Sequence, residues 1–491
     1  MPPLVLAIDQ GTTNTKALLI DARGKIAARG SSPVPVSYPQ PGWVEQSGLQ
    51  IWDSVLDATA KCLAQQQANA PIAAIGISNQ RESVMLWDRR TGTPIGPCVT
   101  WQCRRSAARI EKLRTPEIEE LVAARTGLGL DPLFPAAKIG WLLDAHPEAQ
   151  ALAGAGDLCA GTVDSWLIFK LTGGAVHATD FGNASRTQLL DIGARAWSSE
   201  LCDLFGLPTS VLPLPLASDA RFGQTVAGGP LPGGIPIHGV MGDSHAALFG
   251  HGIRKSGEVK ATYGTGSSLM TLTPQPVRSS HGLSSTIAWQ RGDEAAYALE
   301  GNISVSAQGA AWVAKILGLA GVDALTTLAA SVPDSGGVTF VPALVGLGAP
   351  HWKPDARAAF SGMSLGTEPA HLARAALEAI AFQIGDVFAA MEADLGTPLD
   401  LLSVDGGATQ NDLLMQIQAD LLGRPIRRGQ IAELSAMGAA MLAGTAAGLW
   451  TGAEAGALLA QDYQYFTPAA PPSARGEAIA RWRSAVRQVG A

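Results

Sequence analysis

The feature that most constrains the fold is a strand–turn–strand pattern that occurs near the start of the chain and again in its second half. The apolar run Leu4–Ile8 ends in the polar turn Asp9–Thr13, and Lys16–Asp21 then predicts a second strand. Val259–Leu272 repeats this pattern around the tip Gly264–Ser268. The sequence therefore predicts two hairpins with small polar tips, which suggests an internal duplication.

The rest of the chain mixes strands and helices, so the fold class is α/β. A helix is expected at 49–67, strands at Ile72–Ser78 and Val84–Trp87, and a long helix around Leu377–Met391, where apolar residues recur at helical spacing. With 491 residues, of which 47% are hydrophobic, the chain is too long for one core. We expect two domains, 1–245 and 246–491.

Charge and cysteine usage exclude several classes of partner. The net charge is −7 and no long basic run occurs, which argues against nucleic acid or a membrane as partner. The apolar stretch Ala439–Trp450 is too short to span a bilayer, and no secretory signal is expected. Five cysteines without metal-ligand spacing fit a reduced, cytoplasmic protein.

Two hairpin tips and a diglycine turn are candidate nucleotide-binding segments. Backbone N–H groups and hydroxyls at a Gly-Thr-Thr tip can bind phosphate, and a nearby carboxylate such as Asp9 can hold Mg²⁺. The alternative is an exposed hairpin turn. Asp405–Ala408, followed by Asn411, lets the backbone approach a ribose or a base closely, or it is a tight strand-to-helix turn. No P-loop motif is present.

Two further segments carry candidate acceptor chemistry. Asp243, at a predicted strand end between Gly242 and a small residue, can take a proton from a substrate hydroxyl. His245 is a rival base, although we favour a packed histidine. The adjacent Arg81 and Glu82 can donate to and accept from several hydroxyls, or form a surface ion pair.

Taken together, these segments resemble the FGGY carbohydrate kinases, and within them the glycerol kinase branch. The resemblance covers nearly the whole chain, and it rests on AIDQGTTNTKALLID, YPQPGWVEQ, GISNQRESVMLWD, TWQCRR, GTVDSWLIFKLTGG, NASRT and GLGAPHWKPDARAAFSGM. The second-half signature fits through His371, Leu372, Ala375 and Glu378. The first-half signature fits at Lys138 and Trp141, but Leu133 and Ala145 are not the usual residue types.

The resemblance implies a two-domain, actin-like (ribonuclease H-like) ATPase fold with a central cleft, and an ATP-dependent kinase that uses Mg²⁺. It implies the acceptor mainly on the first domain, ATP mainly on the second, and a homo-oligomer, dimer or tetramer. By resemblance Asp243 is the general base and, with Asp9, metal-associated. Arg81, Glu82, Asp243, Ser244 and Leu133 then face the acceptor. The implied nucleotide-binding residues are Thr12, Thr13, Asn14, Lys16, Thr265, Gly266, Gly406, Gly407, Ala408 and Asn411.

Three departures from glycerol kinases bear on the substrate and its regulation. Leu133 replaces a tyrosine that touches glycerol, Ser244-His245 replaces Gln-Gln, and Lys16 replaces an arginine. Leucine cannot hydrogen-bond and serine is shorter, so we expect a small polyol or sugar other than glycerol, such as a tetritol, pentitol or ketose. Residues 227–234 lack the arginine of an inhibitory sugar-bisphosphate loop, so we expect no such inhibition.

Two alternatives remain open from the sequence. The first is glycerol kinase proper, which the other glycerol-kinase-like stretches support. The second, of another class, is an actin-like module that uses nucleotide hydrolysis to drive binding. Acceptor-dependent turnover separates both kinases from that module.

Overall fold

The computed structural model describes residues 2–66, 70–459 and 462–490. The chain forms two compact units, of which the first comprises Met1–Arg254, Ser285–Tyr297 and Glu433–Ala460. The second comprises Lys255–Ser284, Ala298–Ala432 and Gln461–Ala491. The chain thus leaves the first unit after Arg254 and returns to it twice, while the division into domains 1–245 and 246–491 stays a prediction.

The strands are short, with most between two and eight residues long. In chain order they are β1 (Leu4–Gln10), β2 (Asn14–Ile20), β3 (Ile26–Pro33), β4 (Glu45–Gln46), β5 (Ile72–Asn79), β6 (Val84–Asp88), β7 (Pro94–Val99), β8 (Leu158–Thr162), β9 (Ala178–Asp180), β10 (Leu190–Asp191), β11 (Ala196–Trp197), β12 (Leu214–Leu216), β13 (Ile237–Gly242), β14 (Glu258–Tyr263), β15 (Ser267–Thr273), β16 (Ser284–Arg291), β17 (Glu294–Ile303), β18 (Thr339–Val341), β19 (Ala359–Ser361), β20 (Leu401–Asp405), β21 (Ile426–Arg428) and β22 (Gln464–Phe466).

The helices are interspersed among these strands, and short 3₁₀ turns occur at Thr209–Val211 and Gly407–Gln410. In chain order the α-helices are α1 (Gly48–Leu63), α2 (Ala107–Leu113), α3 (Pro116–Thr126), α4 (Pro135–Ala145), α5 (Pro147–Ala155), α6 (Val163–Leu171), α7 (Phe181–Ser185), α8 (Ser199–Phe205), α9 (Asp243–Gly250), α10 (Ala307–Ile316), α11 (Val322–Ala329), α12 (Pro369–Leu395), α13 (Asp412–Leu422), α14 (Leu434–Ala446), α15 (Gly452–Leu458) and α16 (Pro472–Val489).

The first unit is built on a five-stranded sheet of order β13-β5-β1-β2-β3. Strand β1 runs parallel to β5 and antiparallel to β2. Because side chains alternate along a strand, Leu6 and Ile8 share one buried face, where they pack with Val55 of α1. Helix α14 packs against β5, where a Cβ on Gly76 would lie 2.5 Å from the Ala439 carbonyl oxygen. The missing side chain at this glycine lets the helix backbone approach the sheet.

The second unit contains the neighbouring strands β15-β14-β20-β21-β22, in that order, together with the last residues of β17. Strands β14 and β15 form an antiparallel hairpin, and β14 runs parallel to β20. Val259 and Ala261 of β14 share a buried core with Ile380 and Ile384 of the long helix α12. The carboxyl ends of β14 and β20 therefore lie side by side, which brings the hairpin tip and the diglycine turn to the same edge of this sheet.

Both predicted hairpins are confirmed, as are the strands at 72–78 and 84–87 to within one residue at either end. The helix expected at 49–67 begins at Gly48 and ends at Leu63, and residue 67 lies outside the described residues. All five cysteines are free and buried. Among the described helices, none is both long and apolar enough to cross a membrane.

Candidate active site

Asp9 lies near the end of β1, where its carboxylate accepts a 2.8 Å hydrogen bond from the Ser78 hydroxyl. Lys16 is its partner across the hairpin, and the Lys16 ammonium forms a 2.7 Å ion pair with Glu433. Burial raises the pKa of Asp9 to about 6, and the carboxylates of Asp243 and Glu433 add to this rise, against the Ser78 bond and the Lys16 charge. The first unit thus gathers several carboxylates around one lysine.

The tip of the first hairpin is fixed by hydrogen bonds to Thr12. The Thr12 hydroxyl accepts a 3.0 Å bond from the Trp101 indole and donates a 3.4 Å bond to the Gln80 side chain. Its carbonyl accepts a 2.7 Å bond from the Gln46 amide. Since these bonds already occupy the Thr12 side chain, this tip offers phosphate mainly its backbone N–H groups and the exposed Thr13.

Asn14 closes the tip of the same hairpin. Its carbonyl accepts a 3.0 Å bond from the Gly11 N–H, and its side-chain amide donates a 2.8 Å bond to the Ser31 hydroxyl of β3. The Asn14 side chain therefore stabilises the tip against the neighbouring strand. Its role toward a nucleotide stays a prediction.

Arg81 and Glu82 lie in the turn between β5 and β6, and both are 6% exposed. Since both side chains are buried, the alternative of a surface ion pair is wrong. The Arg81 guanidinium contacts the Asp243 carboxylate at 3.3 Å, and the Glu82 carboxylate accepts a 2.6 Å bond from Arg186. Each partner comes from a distant segment, which a local pattern does not reveal.

Asp243 is the first residue of α9, directly after β13. Its side chain is 40% exposed, so one face of the carboxylate is open to a ligand. The same carboxylate accepts a 2.6 Å bond from the Ser244 N–H. His245 is fully buried, with its Nε2 3.4 Å from Arg81 and 3.5 Å from the Thr286 hydroxyl, which agrees with a packed histidine rather than a base.

Leu133 lies near Glu82, because the Lys138 ammonium bonds both backbones. Lys138 Nζ donates to the Leu133 carbonyl at 2.6 Å and to the Glu82 carbonyl at 3.1 Å. Burial lowers the pKa of Lys138 to about 8. The half-buried Leu133 is therefore held close to the Glu82 backbone, while its role toward an acceptor stays a prediction.

In the second unit, the tip of the β14–β15 hairpin rests on the start of α10. The Thr265 carbonyl accepts a 2.9 Å bond from the Ser306 N–H, and a Cβ on Gly266 would lie 2.4 Å from the Ile303 carbonyl oxygen. This close backbone approach explains the glycine. The Thr265 side chain is exposed at the tip.

A cavity of about 690 Å³ opens beside this tip, within the second unit. It is lined by residues of the diglycine turn, α10, α11, α12 and α13, among them Gly407, Ala408, Asn411, Thr326 and Ile380. Gly406, with φ of 97° and no room for a Cβ beside the Tyr263 backbone, makes the turn possible. This volume suits a nucleoside-sized ligand.

Asn411 has a structural role in the wall of that cavity. Its side-chain oxygen accepts a 3.1 Å bond from the Leu414 N–H and caps α13, while its amide donates a 2.8 Å bond to Thr326. Asn411 therefore joins two walls of the cavity, α11 and α13.

The carboxylates of the first unit suit a magnesium ion that keeps most of its water. No group of three or more His, Cys, Asp or Glu is placed to hold a metal within the described residues. Mg²⁺ typically uses one or two carboxylates together with phosphate oxygens and water. The raised pKa of Asp9, caused by burial and neighbouring negative charge, marks a carboxylate whose ionised form a cation would stabilise.

Sequence reasoning assigned no role to four residues that complete this geometry: Trp101, Lys138, Arg186 and Glu433. Each contacts a residue in a distant segment of the chain: Thr12 for Trp101, Glu82 for both Lys138 and Arg186, and Lys16 for Glu433. Trp101, Lys138 and Arg186 fall inside stretches that carried the family resemblance, which was the available signal. Glu433 had none.

Comparison with known proteins decides the family. Residues 4–250 match the model of the N-terminal domain of the FGGY family of carbohydrate kinases, and residues 259–447 match that of its C-terminal domain. The chain belongs to the FGGY family of carbohydrate kinases. It is accordingly an ATP-dependent phosphotransferase that acts on a hydroxyl group of a sugar or polyol.

Relatives of this FGGY kinase carry different substrate names. An apulose kinase of Pectobacterium atrosepticum is 48% identical over 486 residues, which is 99% of this chain and 98% of that protein. A glycerol kinase of Alkalilimnicola ehrlichii is 46% identical over 494 residues, covering 99% and 98%. Plasmodium falciparum glycerol kinase, solved with ADP, matches with a TM-score of 0.94 and 32% identity, over 99% of this chain and 98% of that one. The two-domain actin-like fold is thus shared.

Proposed function

We propose that this FGGY kinase phosphorylates a small ketose or polyol other than glycerol. The observation that carries the proposal is Leu133, which Lys138 holds next to Glu82, where a glycerol kinase would place a tyrosine. Leucine offers no hydrogen bond to a glycerol hydroxyl and leaves an apolar wall. The 48% identity to a protein named apulose kinase supports a sugar as the acceptor.

The first unit supplies the acceptor chemistry. Arg81 donates to an acceptor hydroxyl and Glu82 accepts from one. Asp243 takes the proton of the reacting hydroxyl, whose oxygen forms the new bond to the γ-phosphorus as the bond to the β–γ bridging oxygen breaks. Ser244 and Leu133 shape the remaining wall. The 3.3 Å contact between Arg81 and Asp243 supports this joint role.

The second unit supplies the nucleotide pocket. Gly406, Gly407, Ala408 and Asn411 bind the adenosine of ATP in the cavity, and the exposed tip at Thr265–Gly266 donates to its phosphates. The cavity volume and the ADP named with the Plasmodium relative support this placement.

The first hairpin carries its own phosphate-binding groups, Thr12, Thr13, Asn14 and Lys16. Lys16 exchanges its Glu433 contact for a phosphate oxygen as the nucleotide binds. Asp9 and Asp243 hold Mg²⁺, which supplies charge neutralisation at the phosphates. Asp243 is close enough to Asp9 for its charge to raise the Asp9 pKa.

Glycerol kinase proper is the second candidate, favoured by the 46% identity to proteins named glycerol kinase. Family membership as an enzyme argues against the nucleotide-driven binding module. We also propose a cytoplasmic homo-oligomer without sugar-bisphosphate inhibition. The five free thiols support a reducing compartment, and light scattering on purified protein tests the oligomer.

The deciding experiment is a coupled ADP-release assay with Mg·ATP and a panel of glycerol, tetritols, pentitols, pentuloses and apulose. Acceptor-dependent turnover with a kcat/KM for a ketose or longer polyol at least tenfold above that for glycerol is expected. A preference for glycerol would instead establish the second candidate. Omission of the acceptor gives the rate of wasteful ATP hydrolysis, which must be low.

A further inference from the structure

Glu82 has a backbone conformation that its neighbours must maintain. Its φ is 58°, in the left-handed region that residues with a Cβ seldom adopt. Its carboxylate is also buried, at 8% side-chain exposure, and an uncompensated buried carboxylate is unfavourable. The structure therefore has to contain groups that hold both the backbone and the charge of this residue.

Arg186 compensates the charge. Its Nε donates a 2.6 Å hydrogen bond to Glu82 Oε1, and its side chain is fully buried. The guanidinium lies 5.2 Å from the centre of the Phe134 ring, which supports it from one side. A carboxylate has about four lone-pair sites, so this bond leaves Glu82 able to accept a hydrogen bond from a ligand hydroxyl.

Arg186 is itself fixed, because it directly follows α7. Asp180 caps this short helix through the N–H groups of Gly182 and Asn183. Asn183 also exchanges amide hydrogen bonds of 3.0 and 3.1 Å with Asn79, the last residue of β5. Helix α7, which Arg186 follows, is therefore hydrogen-bonded to β5, the strand that precedes Arg81 and Glu82.

Lys138 maintains the backbone. It lies on α4, it is fully buried, and its ammonium bonds the carbonyls of Glu82 and Leu133 at 3.1 and 2.6 Å. The Lys138 ammonium thus sets the distance between the backbones of Glu82 and Leu133.

We propose that Arg186 and Lys138 are positioning residues that fix Glu82 for acceptor recognition. Arg186 orients the carboxylate, and Lys138 holds the left-handed backbone at its distance from Leu133. The inference rests on the proposed role of Glu82 as an acceptor-binding residue. It predicts that both residues govern affinity for the acceptor and leave affinity for ATP unchanged, although neither touches the acceptor.

The test is Arg186→Lys, which keeps the charge but loses the planar guanidinium, with Arg125→Lys as the matched control. Arg125 forms exposed ion pairs with Asp191 and Glu200 in the same unit. Measurements are acceptor Kd by calorimetry without nucleotide, KM for acceptor and for ATP, and melting temperature. We expect the acceptor Kd and KM of R186K to rise about tenfold to a hundredfold, with the KM for ATP within about twofold of wild type.

A double-mutant cycle shows whether Arg186 acts through Glu82. The variant E82Q/R186K should bind the acceptor no more weakly than E82Q alone. Additive losses would overturn the inference, as would an unchanged acceptor KM in R186K or a parallel rise of both KM values with a lowered melting temperature. If R186K does not fold, Lys138→Met gives the second test, and an unchanged acceptor KM in that variant equally overturns the proposal.

The outcome separates this inference from the proposed substrate. If the wild type prefers glycerol, the substrate proposal fails and the Arg186 test proceeds with glycerol as the acceptor. If the wild type prefers a ketose or longer polyol while R186K keeps its acceptor KM, only the inference fails.

Discussion

The substitution Gly438→Ala tests how Asp243 is positioned. Gly438 lies within α14, and a Cβ on it would lie 2.0 Å from the Ala246 carbonyl oxygen and 3.1 Å from the Gly250 nitrogen, both in α9. Carbon–oxygen contacts normally start near about 3.3 Å. The two helices must therefore separate by roughly 1 Å to accept one methyl group, and Asp243 is the first residue of the displaced helix.

The magnitude follows from two opposing terms. Alanine in place of a helical glycine stabilises by about 0.5–1 kcal/mol. Overpacking a closely packed interface costs about 1–3 kcal/mol, and the obstacle here is backbone rather than a flexible side chain. We expect a net loss of about 1–2 kcal/mol in the free energy of unfolding. A displacement of about 1 Å at Asp243 should lower kcat by up to about a hundredfold.

Gly385→Ala in α12 is the matched control, because its nearest new neighbours are the Leu421 and Leu422 methyl groups at 3.9 Å. The free energy of unfolding of this variant should rise by about 0.5–1 kcal/mol, and its kcat should stay unchanged. Urea unfolding and the coupled ADP-release assay measure both variants. A G438A protein as stable as wild type, with kcat within twofold, would refute the argument that close packing of α9 on α14 positions the site.

Three further predictions concern individual side chains. Asp243→Asn should fold normally and lose at least about a hundredfold in kcat, and near-normal turnover would rule out its role as the base. Leu133→Tyr should raise kcat/KM for glycerol relative to longer acceptors, and an unchanged ratio would remove this residue from the specificity argument. Lys138 has a pKa lowered by burial to about 8, from an ordinary 10.5. As the pH falls from 10.5 to about 8, the unfolded chain binds a proton at Lys138 before the folded protein does, so the wild type loses free energy of unfolding. Lys138→Met lacks this loss, so its free energy of unfolding minus that of the wild type should rise by up to ~3 kcal/mol over that interval. If the stability difference between Lys138→Met and wild type does not change with pH, this prediction is wrong.

The strands that frame the site could be predicted because each is a continuous apolar run ending at small polar residues. Leu4–Ile8 and Val259–Tyr263 have this form, and both hairpins are present. Helix α14 was not predicted, because its Ala- and Gly-rich residues are buried on nearly every side and leave no polar stripe for a helical period to show. Helix α14 packs within the first unit through close backbone contacts at Gly76 and Gly438. These long-range contacts could not be predicted from the amino-acid composition.

The sequence singled out candidate residues at strand ends, but it did not single out the residues that support them. Asp9 lies near the end of an apolar strand, and Arg81, Glu82 and Asp243 follow such strands. Parallel strands bring these ends to one edge of a sheet. Lys16 also belongs here, since it is the partner of Asp9 across the hairpin.

The supporting cations could not be placed from the sequence alone. A single Arg or Lys in a helix or turn usually faces solvent, so nothing local marks Arg186 and Lys138 as buried. Likewise, the adjacency of Arg81 and Glu82 suggests that they pair with each other, although each pairs with a distant residue.

These supporting contacts explain how the first unit alone can hold Glu82 in the form that the proposed acceptor site needs. Burying the Glu82 carboxylate costs free energy, and so does holding its backbone in the left-handed region. Arg186 offsets the first cost and Lys138 the second, each through a hydrogen bond from a fully buried cation. Both cations come from the same unit as Glu82, so the contacts that orient this residue lie within one unit. If the proposed acceptor roles hold, we expect selection among acceptors to depend on Leu133 and Ser244, two neutral residues whose substitution keeps these charged contacts.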